Sequence, residues 1–370
     1  MTTRTRILVL CASASAALHV AVISLLRMLV PGFLDALPTS LLGRFGHGVE
    51  LAVALTGALA VLVLAVLALA AERTSRDAIP RGAVRGAALL TGSLLAATTP
   101  GGVIPVAGYT FAMTVLIGIA VFIVLTVLRR PWLGILLAVV AGGAVAYAVI
   151  AHDAASLLPR MLGAYGAILS ETSLALAHVV AAAGLLVWAV TDARTVPGRI
   201  AGLVLRHRVA ITAIAAACAL PYVLARASWL TPWPLFGGSA EMFDADPSVR
   251  VMGLVLGLGM LTGGVLTLGL VLPWGERFPR FLAGLGGRPV PVALVVIPAS
   301  IVSVLFTAAG IEFAIEGVGQ AKEHLYLLLM FPFWLWGPLL GFATWAYAMR
   351  RAQHPLAGND PRQSAVAGVA

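Results

Sequence analysis

The apolar stretches of this chain are each about as long as a bilayer is thick, and arginines crowd into every second gap between them. That alternation constrains the fold more than any motif does. A helix needs about 20 apolar residues to cross about 30 Å of hydrocarbon. Ten runs approach that length: 7–30, 49–71, 83–99, 108–128, 132–151, 171–191, 209–225, 250–273, 291–314 and 324–349. The third and seventh are short. The pattern predicts an all-α, polytopic membrane helix bundle over residues 1–351, with about ten transmembrane helices. The Pro, Gly, Ser and Ala composition of 352–370 predicts a short disordered tail on the cytoplasmic side.

The two sets of gaps differ in charge. One set holds Arg4, Arg6, Arg73, Arg76, Arg81, Arg85, Arg129, Arg130, Arg194, Arg199, Arg206, Arg208, Arg277, Arg280, Arg288, Arg350, Arg351 and Arg362, which is 18 of the 24 basic residues. The other set has Arg27, Arg44, Arg160, Arg226, Arg250 and Lys322, with most of the acids. Basic residues accumulate on the cytoplasmic side of short loops, so both termini are expected in the cytoplasm. The longest outer loops then fall near 152–170 and 226–249.

Only 11% of the residues are charged and 61% are apolar. A soluble domain keeps about a quarter of its residues charged, so most of this surface is expected to face lipid. The net charge of +9 suggests nucleic acid at first sight. Positive-inside bias explains it better, and the expected partners are the bilayer and its anionic headgroups, with no nucleic acid. Lys322 is the only lysine and Asn359 the only asparagine. That bias points to a GC-rich genome and a bacterial inner (cytoplasmic) membrane. Cys11 and Cys218 lie in different apolar runs and predict neither a disulfide nor a metal site. The first apolar run continues past Leu26, longer than the core of a cleaved signal.

Ionisable groups inside a bilayer are costly and are the first place to seek function. The candidates are Glu312, with Glu316 one turn beyond, His19 and Arg27 in the first helix, and His178 in the sixth. Glu50 opens the second helix. Glu50, Arg27 and Glu316 sit near helix ends, where headgroups or water can reach them. Glu312 is expected to be buried between helices, with Arg27 as a possible partner. The third run ends in Thr98-Thr99-Pro100-Gly101-Gly102-Val103-Ile104-Pro105. Its prolines and glycines predict a non-helical stretch over 98–106, shielded from lipid. It is either a broken, re-entrant element lining a substrate site or a tight outer loop. Gly253, Gly257, Gly259, Gly263 and Gly264 in the eighth run suit close helix packing or a backbone-lined pore.

Two loops carry further candidates. The outer loop places Trp233 before Glu241, Asp244 and Asp246. The tryptophan suits an interface anchor, and the acids are a weak hard-cation set. The cytoplasmic loop 274–290 places Phe278, Phe281, Leu282 and Leu285 at helical spacing beside Arg277, Arg280 and Arg288. That suits a segment lying on the anionic leaflet or a plain connection. There is no His-Glu-x-x-His, no Gly-x-Ser-x-Gly and no phosphate-loop pattern, and no cofactor or metal is expected.

The stretches Leu230-Thr-Pro-Trp-Pro-Leu-Phe-Gly, Trp274-Gly-Glu-Arg-Phe-Pro-Arg with Gly287-Arg-Pro-Val-Pro, and Phe333-Trp-Leu-Trp-Gly-Pro-Leu-Leu-Gly resemble a group of uncharacterised multi-pass membrane proteins of high-GC actinobacteria. The resemblance covers roughly the last 150 residues and implies a class without an activity. Membrane acyltransferases that modify cell-surface sugars also often have ten helices and a histidine in the first, here His19. Their Arg-Gly signature is replaced by Ser13, Ala14 and Ala16. The leading expectation is a transporter or permease-like bundle for a small or lipid-like substrate. A structural or regulatory membrane protein comes next, then an acyl- or lipid-modifying membrane enzyme. A central polar cavity reached from one face separates the first two, and an enzyme instead needs at least two convergent polar residues, such as His19 with Glu312, opening to one leaflet.

Overall fold

The computed structural model describes residues 1–30, 32–33, 40–73, 81–100, 103–152, 154–191, 198–280, 286–316 and 323–353. Their helices, in chain order, are α1 Thr3–Leu29, α2 His47–Arg73, α3 Arg81–Ala97, α4 Val103–Arg129, α5 Pro131–His152, α6 Leu157–Thr191 and α7 Arg199–Arg206. They continue with α8 Arg208–Ala217, α9 Leu220–Ala227, α10 Ala240–Ala245, α11 Ser248–Leu268, α12 Val292–Glu316, α13 Glu323–Met330 and α14 Phe333–Gln353. No strand occurs among the described residues beyond one isolated bridge. The architecture is an all-α polytopic bundle. Eight helical stretches are long and apolar enough to cross a membrane, and Gly82–Ala97 and Leu116–Arg129 are shorter apolar helices. These ten stretches match the ten apolar runs one for one.

Several boundaries differ from expectation. Residues 157–170, read as part of an outer loop, are helical and extend α6 to 35 residues. At 1.5 Å per residue that is about 50 Å, longer than the hydrocarbon is thick. The seventh run is two helices, because Pro221 lacks an N–H and the chain turns at Cys218 and Ala219 between α8 and α9. The tenth run breaks at Phe331-Pro332 between α13 and α14 for the same reason. The expected break at 98–106 is narrower: Thr98, Thr99 and Pro100 are non-helical, but Pro105 is the third residue of α4. The first turn tolerates proline because its N–H has no helical partner anyway. Gly101 and Gly102 lie outside the described residues, as do 354–370, where most of the expected tail falls.

Burial sorts the helices into centre and edge. Within Thr172–Thr191 of α6, 72% of the most apolar window is buried, against 6% within Pro131–His152 of α5. The first helix therefore forms the centre and the second the periphery, where Ile135, Val139 and Ile150 are exposed to the surroundings. Two cores meet on α6. In one, α1, α2 and α3 pack on α6 through Leu10, Val20, Val61, Leu185 and Trp188. Close approach needs small residues. Ser13 Oγ donates to the Ala181 carbonyl at 2.6 Å, and a Cβ on Gly184 would lie 2.5 Å from Ser13 Cβ. The other core joins α8, α11, α12 and α14. There Phe306 stacks on Phe333 with centroids 4.3 Å apart, and Gly310 and Gly337 let the backbones of α12 and α14 touch.

Ion pairs and hydrogen bonds tie charged side chains together near the N-terminus of α1 and the C-terminus of α14. Arg6 pairs with Glu72 at 3.1 Å, both nearly buried, and the Trp188 indole donates to the same carboxylate. Arg350 pairs with Glu276, and Arg351 donates to the Tyr347 hydroxyl and the Val290 carbonyl.

Candidate functional site

Two cavities, opposite in character, lie inside the bundle. The smaller is a void of about 10 Å³ lined by Ser24 and Arg27 of α1, Ser40 and Leu42 of the preceding loop, Glu50, Leu51 and Ala54 of α2, Thr98 and Pro100 after α3, and Leu174 and His178 of α6. Local rules explain the assembly. Ser24 and Arg27 are three residues apart and share one face of α1. Glu50 sits in the first turn of α2, where helix N–H groups favour a carboxylate. Its Oε1 accepts the Ser40 backbone N–H at 2.5 Å, which fastens the α1–α2 connection. His178 is fully enclosed, and its Nδ1 lies 2.8 Å from the Leu174 carbonyl. A carbonyl only accepts, so Nδ1 carries the proton and a neutral ring leaves Nε2 as an acceptor.

This cluster is not internally satisfied. Ser24 Oγ, Arg27 Nε and Glu50 Oε2 are buried without hydrogen-bond partners. Arg27 is 7% exposed, and no acceptor among the described residues reaches its guanidinium. The nearest cation to Glu50 Oε2 is His47 Nδ1 at 3.8 Å, too far for a hydrogen bond.

The larger cavity, about 440 Å³, runs along α11, α12 and α14 beside Tyr222 of α9. Met260, Leu266, Leu270, Val302, Phe306 and Leu340 are typical of its walls. The glycines of α11 serve two purposes. Gly253, Gly257 and Gly264 form the packing face: a Cβ would strike the Trp229 ring at the first, Arg226 Cβ at 2.9 Å at the second and Ala219 Cβ at 2.9 Å at the third. Gly259 and Gly263 line the cavity instead, on a face about 120° away. Trp336 also lines it, and its buried indole N–H has no acceptor among the described residues.

The sequence-derived candidates divide accordingly. Arg27, His178 and Pro100 come together at the small void; Thr99 is buried beside it, its hydroxyl donating to Leu95 O. His19 is exposed on α1, and Glu312 is half-buried near the end of α12; both lie away from the linings of these two cavities. Arg27, offered by the sequence as a partner for Glu312, instead shares the void with Glu50 and His178. The side chains of Pro105 and Glu316 lie outside the described residues.

The outer loop folds on itself rather than around a cation. Trp229, not Trp233, is its anchor: it is buried against Gly253, its indole donates to Leu235 O at 2.9 Å, and Arg226 lies 4.0 Å from its ring centroid. Trp233 is 77% exposed. Glu241 and Asp244 are exposed, while Asp246 pairs with Arg160 at 3.0 Å and accepts from Ser248 at the start of α11. These bonds hold the Asp246 carboxyl below its ordinary range, the Ser248 hydroxyl first among the causes. The described residues contain no metal-binding group of three or more His, Cys, Asp or Glu.

The helical spacing expected of the loop 274–290 rests on Phe281, Leu282 and Leu285 beside Phe278, and those three lie outside the described residues. Phe278 N donates to Arg288 O, Gly287 N to Phe278 O, and Val290 N to Glu276 O, a short antiparallel ladder. Arg277, Arg280 and Arg288 are exposed around it, Phe278 is half-buried, and Phe281 lies outside the described residues. Sequence reading missed the roles of Ser24, Ser40 and Trp336. The i, i+3 spacing of Ser24 and Arg27 was the available signal. Compared with family models, curated proteins and solved structures, the chain finds no match.

Proposed function

We propose that the protein is a permease-like carrier for an apolar, lipid-like substrate in a bacterial inner membrane, with both termini in the cytoplasm. One observation carries the reading: the cavity of about 440 Å³ with almost wholly apolar walls between helices long enough to span. Ligand sites typically occupy about 300–1,000 Å³. At bilayer depth the available filler is hydrocarbon, so an acyl or isoprenoid chain is the fitting occupant. The glycines at 259 and 263 supply the space. A membrane enzyme acting on lipid would draw on Ser24, Arg27, Glu50 and His178, but their void admits a water and not a substrate.

The test is photo-crosslinking with a diazirine-labelled acyl lipid in nanodiscs. Label on α11, α12 or α14, lost with Ala299→Phe, supports the reading. Label confined to the outer faces of α4 and α5 would sink it. Transport itself is read as loss of a fluorescent-lipid gradient in proteoliposomes. Orientation rests on the arginine alternation. Reporter fusions after Arg85, Arg130, Arg208 and Arg288 should all report cytoplasm, and outer signals from two of them would overturn it. The exposed Arg277, Arg280 and Arg288 then meet anionic headgroups, and neutralising all three should weaken retention of anionic lipid.

A further inference from the structure

We propose that the void between α1, α2 and α6 is a proton-binding site, in which one water molecule joins Arg27 to Glu50 and Glu50 takes the proton. The proposal is independent of the permease reading. It starts from a mismatch of charge and partners. An arginine that is 7% exposed and a glutamate that is 4% exposed line the same void without touching. Each keeps a buried polar atom unsatisfied, and Ser24 Oγ adds a third. Uncompensated charges at such depth cost several kcal/mol. Breaking the pair apart is therefore not a stable option, and something must connect them.

The dimensions identify the connector. A cavity of about 10–15 Å³ accessible volume holds one water, which usually makes about three hydrogen bonds. This void is about 10 Å³, and three orphaned polar atoms surround it. A phosphate, a sugar or a second side chain is too large. A metal ion is disfavoured by the guanidinium, which has five donors and no acceptor.

The chemistry then assigns the titrating group. Arginine does not lose its proton in proteins. His178 gives its Nδ1–H to Leu174 O, and its open Nε2 could take a proton only by adding a second positive charge beside the Arg27 guanidinium in the same void. Glu50 has one oxygen fixed by the Ser40 N–H and one open toward the void. Among the described residues, the charged or titratable groups that line the void with it or lie near its carboxylate are Arg27 from α1, His47 from its own helix and His178 from α6, while Thr98 and Pro100 line the void after α3. Proton uptake forms an O–H bond on Oε2 and breaks one O–H bond of a hydronium ion arriving through the void. The bridging water turns to accept rather than donate at that oxygen. The cluster gains one positive charge, and Arg27 is released from its water-mediated partner. The non-helical Thr98–Pro100 segment at the wall of the void places this event where α3 stops.

The experiment is infrared titration of the full-length protein in nanodiscs, following the band of protonated carboxyl groups. A band that rises on acidification in the wild type, disappears in Glu50→Gln and persists in Glu312→Gln is expected. Arg27→Met removes the donor that holds the bridging water, and the band should move in frequency. Absence of any such band in the wild type, its survival in Glu50→Gln, its loss in Glu312→Gln, or indifference to Arg27→Met would each overturn the proposal. Should Glu50→Gln fail to elute as a monodisperse species, Glu50→Asp serves: the band should remain but move in frequency, and an unmoved band assigns it elsewhere.

Discussion

Around Arg27, three buried polar atoms lack partners and the free space is about 10 Å³; beside α11, the free space is about 440 Å³ and the walls are almost entirely apolar. Both regions lie in one bundle, on either side of α6. The small void is bounded by opposite charges that do not reach each other, so their unmet donors and acceptors are left facing it. The large one is held open by backbone geometry, since glycines on one face of α11 bring α8 and α9 close while those on another leave room. Polarity governs the first and volume the second. A substitution that changes charge should therefore matter in one region, and a substitution that changes size in the other.

The largest expected effect tests the charged region. Glu50→Leu leaves Arg27 buried with no counter-charge, and should destabilise the protein by about 3–5 kcal/mol. Thermal unfolding in detergent measures this. The double variant Arg27→Met with Glu50→Leu should recover most of the loss, because two matched apolar groups replace an imperfect pair. Additive losses would mean that the two residues are not coupled and that the void is not one site.

A smaller effect separates the two glycine faces. Gly264→Val forces a side chain against Ala219 Cβ, which a Cβ alone would approach to 2.9 Å. Overpacking of this kind costs about 1–3 kcal/mol. Ala299→Phe adds more volume but into the cavity, so it should change stability by less than about 1 kcal/mol while reducing acyl-probe labelling about tenfold. Equal destabilisation by both would show that the cavity walls cannot take up volume and would remove the contrast.

The smallest effect lies outside both regions. Asp246, at the start of α11, titrates below its ordinary range because Ser248 and Arg160 hold its charged form. A depressed carboxyl contributes stability above its unfolded value, near pH 4, and loses it as pH falls through the folded value. The protection of amides in 239–250 against hydrogen exchange, normalised to the intrinsic rate at each pH, should therefore fall on acidification well below neutrality, and Asp246→Asn should abolish that pH dependence. Since the group is exposed, neither cavity should respond. A concerted change at Arg27 or in the α11 cavity under the same acidification would tie the loop to the sites.

Sequence made the class legible because a bilayer imposes a one-dimensional constraint: enough apolar residues in a row, with arginines gathered at alternate ends. The helical stretches and the break after Ala97 follow from local composition, whereas Arg27 and Glu50, read as helix-end groups within reach of water, are buried because neighbouring helices cover them. Proline positions also marked the breaks at Cys218-Ala219 and Phe331-Pro332, yet the runs around them were apolar throughout and read as single helices. The extension of α6 back to Leu157 escaped notice because Arg160 and the small residues near it imitate a loop.

What the chain alone left open is which helix touches which. Hydropathy is nearly uniform around these helices, so no face announces its neighbour, and α12 and α14 meet through glycines that carry no hydrophobic signal. Ser24, Arg27, Glu50 and His178 come from three helices separated by up to about 150 residues of sequence, and only their packing makes them one site. The division of the α11 glycines between contact and cavity likewise depends on where α8, α9 and α12 lie. Bilayer thickness and the cost of burying charge determine what a sequence states by itself. Pairwise packing in a solvent as apolar as the side chains has no such driving force, so it is settled by shape, and shape exists only once the helices are assembled.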